Sequence, residues 1–113
     1  MVSGRCTFRL TRRYAAPAAE VWAALTEPDS VGRWFGPSYE GLPGRVRISR
    51  PHDLLELVWE SEGDASVVRF ELREDERGTV LVLDHSLIEE SVGMAYARRW
   101  TQALDRFDGE VER

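Results

Sequence analysis

The sequence contains no lysine; all 15 of its basic side chains are arginine. So complete a bias marks a GC-rich coding sequence of the bacterial kind, and it removes arginine abundance as a sign of guanidinium-based function. There is no excess of positive charge either. The 20 acidic side chains leave the chain at -5, whereas nucleic-acid affinity needs a clustered positive field, so DNA and RNA are excluded as partners. Cysteine is reduced to Cys6, which can form no internal disulfide and has no neighbour at metal-ligand spacing. The two histidines, His52 and His85, stand far apart among scattered carboxylates, which builds no metal site. No glycine-rich loop offers itself to a phosphate, and no cofactor is expected. No window approaches the roughly 18 apolar residues of a membrane span, and the start MVSGRCTFRL lacks the apolar run of a secretory signal. The expected setting is the cytoplasm, away from membranes.

What is present is ordinary globular composition, 42% apolar and 31% charged over 113 residues, enough for one domain covering 1–113. From Cys6 to Tyr14 the residues alternate, with Cys6, Phe8 and Leu10 on one face and Thr7, Arg9, Thr11 and Arg13 on the other, as in a half-buried strand. Arg12 falls on the apolar parity, either as the solvated strand end or as an inward polar group in a cavity. Pro17 opens a helix expected to run to Thr26, with Val21, Trp22 and Leu25 as its stripe. Pro28 ends it and opens a second, whose Val31, Trp34 and Phe35 repeat the i, i+3, i+4 spacing until Gly36 and Pro37 stop it.

Strands follow. Val46 and Ile48 alternate with Arg45, Arg47 and Ser49, and Pro51, His52 and Asp53 make a polar turn that leaves His52 solvated. Leu55, Leu57 and Trp59 share one face, as do Val68, Phe70 and Leu72, and then Leu81, Leu83 and His85. Glu62 to Asp64 and the "EDERG" stretch at 74–78 supply the turns between them. Glu56, Glu60, Glu62, Glu71 and Glu74 fall mostly on outward parities and read as a solvated sheet face. A long amphipathic helix begins near Ser91, carries Met94, Ala97, Trp100, Ala103, Leu104 and Phe107 on one face, and ends at Gly109. Catalytic pairs are scarce. Asp84 and His85 are adjacent, so on a strand they point to opposite faces, and Cys6 lies on a buried parity that suits an inert thiol.

Three segments, "YAAPAAEVWAALTEPDSVGRWFGP", "FELREDERGTVLVLDHSL" and "RRWTQALDRF", resemble the START-like (SRPBCC) helix-grip superfamily, most closely the branch named after activators of a heat-shock chaperone's ATPase. The resemblance implies an α+β fold: a curved antiparallel sheet of about five strands around a long C-terminal helix, with two short helices after the first strand. It also implies a pocket between the sheet and that helix. Carried over by position, Trp34 and Phe35 are the aromatic pair after the second short helix, Trp59 the tryptophan of a central strand and Trp100 the aromatic of the last helix. The segment from Pro37 to Gly44 is too short for the hairpin that relatives carry there, so the sheet is shortened. Arg99 stands where many relatives have glycine.

The leading expectation is a domain that binds a hydrophobic small molecule, with Arg12, Trp34, Phe35, Trp59, Phe70, His85 and Trp100 as candidate ligand-binding residues. A cyclase- or aromatase-like enzyme, with Arg12 or His85 polarising a carbonyl, and a chaperone-cofactor-like interaction module are the alternatives. Trp34, Trp59, Phe70 and Trp100 are expected to fill much of the shortened pocket and to leave binding weak. The strand of Val46 and Ile48 is expected at the sheet edge. There Arg45 and Arg47 either blunt the edge by repulsion or pair with partner carboxylates such as Glu40 or Glu56, and a less covered corner at Trp34, Phe35 and Tyr39 favours a homodimer over a monomer whose Pro37 to Gly44 loop folds over the gap.

Overall fold

The computed structural model describes residues 5–36, 42–61, 64–89 and 92–111. Pro37, Tyr39, Glu40, Glu62, Gly63 and Ser91, on which some expectations fall, lie outside them. The chain runs β1 (Arg5–Tyr14), α1 (Ala18–Thr26), α2 (Pro28–Trp34), β2 (Arg45–Arg50), β3 (Leu54–Ser61), β4 (Asp64–Asp75), β5 (Gly78–Glu89) and α3 (Gly93–Val111). The five strands form one antiparallel sheet in the order β1-β5-β4-β3-β2, and the long helix lies against one face of it. This is the α+β arrangement expected. Among the described residues no helix is long and apolar enough to cross a membrane.

Proline decides the corner. Pro28 has no amide hydrogen, so the carbonyl of Ala24, four residues earlier, loses the donor that a continuing helix would supply. Ser30 Oγ at 2.7 Å and Trp34 Nε1 at 2.9 Å both donate to that carbonyl instead. The break between α1 and α2 is thereby fixed by the side chains that follow it, and Trp34 is driven to full burial. Pro17 offers no capping side chain to α1, and Glu74 of β4 takes that role by accepting from the Ala18 amide at 2.6 Å.

The helix α3 carries Gly93, Trp100, Ala103, Leu104, Phe107 and Val111 into the core. Two expectations about it are corrected. Met94 is 79% exposed; six residues at about 100° each put it roughly 120° away from Trp100, outside the stripe. Gly109 does not end the helix, which continues to Val111. The last turn is held because Val111 is buried and Glu110 accepts from Arg33 Nε at 2.7 Å, contacts that outweigh the cost of about 1 kcal/mol for a helical glycine.

The outer sheet face also departs from expectation. Glu56 has the expected outward parity but is only 7% exposed. It lies between Arg47 Nε and Arg69 Nη1, each at 3.3 Å. Arg9 and Asp84 are direct cross-strand partners, as are Asp84 and Arg69, and Arg69 and Glu56. With the 2.7 Å pair of Arg9 and Asp84, a row of alternating charge crosses all five strands: Arg9, Asp84, Arg69, Glu56, Arg47.

A bulge at Arg47 sets Val46 opposite Leu57 and Ile48 opposite Glu56, so these two residues face opposite ways and do not share the parity expected of them. The strand β2 is an edge, as expected. Two of the features expected to favour a homodimer there are corrected, because Arg47 is paired within its own chain and Trp34 and Phe35 are 0% and 7% exposed.

Candidate functional site

The space between α3 and the sheet has two ends of different character. At the end near the C-terminus of α3, Tyr14 meets Phe107 edge-on at 5.6 Å and Phe107 meets Trp34 at 5.0 Å. The Tyr14 hydroxyl donates to Asp108 at 2.8 Å. Arg12 belongs here, with Nη1 donating to Asp108 at 3.0 Å and Nη2 to Asp105 at 3.2 Å. It is neither a bare strand end nor a free cation in a pocket; it clamps β1 to the last turns of the helix.

At the opposite end, aromatic rings converge without closing completely. Phe8, Trp59 and Tyr96 are half-buried around His85, which is fully buried. Their ring centroids lie 5.9, 5.2 and 4.8 Å from the imidazole. Trp59 stacks on Trp100 at 5.3 Å with an interplanar angle of 21°. Phe35 abuts both tryptophans at 5.9 and 5.6 Å, under the guanidinium of Arg99 at 5.4 Å, and Phe70 lies beneath Trp100 at 5.8 Å.

Of the seven residues expected to bind ligand, the structure brings Phe35, Trp59, Phe70, His85 and Trp100 into one cluster. It sets Trp34 behind Phe35, and it places Arg12 at the other end. Three neighbours were not singled out as site residues. Phe8 shares the inward parity of Cys6 and Leu10, Tyr96 lies one turn before Trp100, and Ser66 shares the inward parity of Val68 and Phe70.

The polar atoms inside this cluster fix its chemistry. Trp100 Nε1 donates to His85 Nδ1 at 3.0 Å, and an indole nitrogen can only donate. Nδ1 therefore holds a lone pair, the imidazole hydrogen sits on Nε2, and Nε2–H donates to Ser66 Oγ at 2.9 Å. Burial pushes the His85 pKa down to about 4, so the ring is neutral at physiological pH.

A serine beside a histidine suggests an activated nucleophile, but the tautomer is reversed. A catalytic histidine needs a free Nε2 to take the hydroxyl proton, with its Nδ1–H held by an acceptor. Here the orienting group is a donor and Nε2 is already protonated. Asp84, adjacent in sequence, is on the other face in its pair with Arg9, as its strand parity requires. His52 is exposed in the β2–β3 turn at φ 73°, its ring edge-on to Trp22 at 6.2 Å. No group of three or more His, Cys, Asp and Glu side chains among the described residues could hold a metal ion.

Two backbone features shape this end. Gly44 has φ +101°, and a Cβ there would stand 2.5 Å from Trp59 Cδ1 and 2.6 Å from the Val58 carbonyl oxygen. Only glycine lets the chain entering β2 lie over the indole, whose buried Nε1 has no hydrogen-bond partner among the described residues. Opposite Thr7, β5 holds both Ser86 and Leu87 between the pairs Cys6–Ile88 and Phe8–His85. Leu87, at φ 59°, is 53% exposed, and the bulge returns Ile88 to full burial. An open groove of about 330 Å³ between residues 15–17 and 74–78 lies outside the aromatic cluster. Two of its acids are already engaged, Glu74 with α1 and Asp75 with Arg13 at 2.9 Å.

No family model and no curated protein matches the sequence. Solved structures do. Protein MLL2253 from Mesorhizobium loti superposes with a TM-score of 0.82 at 21% identity, over 96% of this chain and 98% of that one. CalU16 from Micromonospora echinospora, in its solution structure, gives 0.75 at 29% identity over 98% and 77%. DynU16, from the dynemicin biosynthetic locus, gives 0.78 at 23% identity, over 94% of this chain and 47% of that one. These likenesses show the fold, and they are consistent with a helix-grip arrangement.

Proposed function

We propose that the protein binds a flat, hydrophobic small molecule at the half-buried aromatic end between α3 and the sheet, as a member of the heat-shock activator branch of the helix-grip superfamily. One observation carries the reading: Phe8, Trp59 and Tyr96 are left half-buried around a fully buried, neutral His85. The far end is closed by Trp34 and Phe107, both fully buried. Aromatic walls with few polar groups are the usual lining of a small-molecule site. The likeness to a protein from a biosynthetic locus supports a small organic ligand over a macromolecular one. The stacked Trp59 and Trp100 occupy part of the interior, so binding is weak and confined to one ring system.

Titration with Nile red, an uncharged planar dye, tests the reading. Saturable one-to-one binding that quenches tryptophan emission and is lost in Trp59→Ala is expected. Unsaturable partitioning, equal in the wild type and the variant, would overturn it. Native mass spectrometry of freshly purified protein adds an independent check through any co-purifying compound.

A further inference from the structure

We infer that Ser66 is the polar anchor of this site and selects ligands that present a neutral oxygen acceptor, of the aryl ketone or quinone class, over plain aromatic hydrocarbons. The inference rests on the binding reading above and follows from the direction of the hydrogen bonds. Trp100 Nε1 can only donate, so His85 Nδ1 must accept and Nε2–H must donate to Ser66 Oγ. The chain of donors thus runs Trp100 to His85 to Ser66, and it ends on the serine hydroxyl hydrogen. Among the described residues that hydroxyl is found in no hydrogen bond other than the one it accepts from His85.

Ser66 is 9% exposed, on the inward face of β4, and its direct cross-strand partner is the half-buried Trp59. The hydroxyl therefore sits beside the ring on which a planar ligand would lie. His85 Nδ1 is taken by Trp100, and Trp59 Nε1 is a further donor. A ligand that brings an acceptor completes the relay. A hydrocarbon leaves the buried hydroxyl hydrogen unpaired, a cost that discriminates between otherwise similar ligands. Arg12 is at the other end with Asp105 and Asp108 and supplies no charge here, and the Arg99 guanidinium lies over the face of Phe35.

Fluorenone and fluorene share a tricyclic shape and differ at one carbonyl. Their dissociation constants, measured by calorimetry or tryptophan quenching on the wild type, Ser66→Ala and Ser66→Thr, decide the matter. The wild type is expected to favour the ketone about three- to tenfold, the range of one neutral hydrogen bond. Ser66→Ala should bring the ratio to about one and Ser66→Thr, which keeps the hydroxyl, should restore it. Equal binding of the two compounds by the wild type would leave the binding site standing and overturn the role of Ser66. A preference that survives in Ser66→Ala would also overturn it, with the Trp59 N–H as the group responsible. Binding of neither compound would remove the site and this inference together.

Discussion

Replacing Trp100 separates the two things it does. Its side chain is 1% exposed, and its ring meets Phe35, Trp59, Phe70 and His85 at centroid distances of 5.6, 5.3, 5.8 and 6.2 Å. Trp100→Ala removes all four contacts from a position that the stacked Trp59 can refill only in part, which costs about 3–5 kcal/mol. It also strips the donor from His85 Nδ1, adding about 1 kcal/mol for a buried acceptor left unpaired. Trp100→Phe keeps most of the ring and loses the N–H, so it should cost about 1–2 kcal/mol. The difference between the variants then measures ring packing and the smaller loss measures the hydrogen bond. Urea melts followed by circular dichroism, with the slope checked for two-state behaviour, give both values. A loss below about 1 kcal/mol for Trp100→Ala would refute the reasoning, since only a surface position is that tolerant.

Acid should destabilise the fold in two separate windows. The folded pKa of His85, pushed down by burial to about 4, lies below the ordinary histidine value of 6.5, so the unfolded chain binds the extra proton. Stability is full above 6.5 and is lost as pH falls through 4, by on the order of 3 kcal/mol; urea midpoints that stay flat over this range would contradict it. Asp75 is held at about 2, chiefly by its hydrogen bond from Arg13, so its own contribution is present above 3.8 and disappears only below that. Glu56→Gln should cost about 1–3 kcal/mol, because Arg47 and Arg69 are then left together without their shared anion, and salt should recover part of the loss. A change under about 0.5 kcal/mol would show that the carboxylate is dispensable. A homodimer of this chain would use the free β2 edge around Val46, which is 54% exposed. Light scattering separates that assembly from a monomer of 12.9 kDa, and Val46→Lys should return any dimer to the monomer mass.

Local rules carried the architecture. Pro17 and Pro28 marked the limits of α1 and α2, and the inward parities of Leu55, Leu57, Val68, Phe70, Leu81 and Leu83 all hold in the sheet. The errors arise where distant partners decide. The burial of Glu56 depends on arginines from β2 and β4, and no window of β3 contains them. The bulges at Arg47 and Leu87 insert one residue into an alternation and reverse its parity without a glycine or proline to announce it. Met94 falls outside the stripe because steps of three residues drift about 60° each around α3, and Tyr96, a turn from Trp100, carries no signal in the sequence that sets it at the site. At the site, His85 could be read as an inward histidine, but its tautomer could not. That depends on an indole from α3 and a hydroxyl from β4 meeting the same ring.

The charged row across the outer face bears on how the sheet avoids assembling incorrectly. A one-residue slip between strands turns every core side chain outward and is rejected by hydrophobicity alone. A slip of two keeps the apolar residues inside, so the core hardly distinguishes it from the correct pairing. The outer face does distinguish it. In the native register Arg69 lies opposite both Asp84 and Glu56, with Glu71 two positions further along β4. Moving either neighbour two places towards Glu71 sets carboxylate against carboxylate. Moving it two places the other way sets the same anion against Val67. Each two-residue mismatch takes a facing carboxylate away from Arg69 and gains a repulsion or a stranded charge. In this chain the inner face selects what is buried, and the outer face discriminates among registers that bury it equally well.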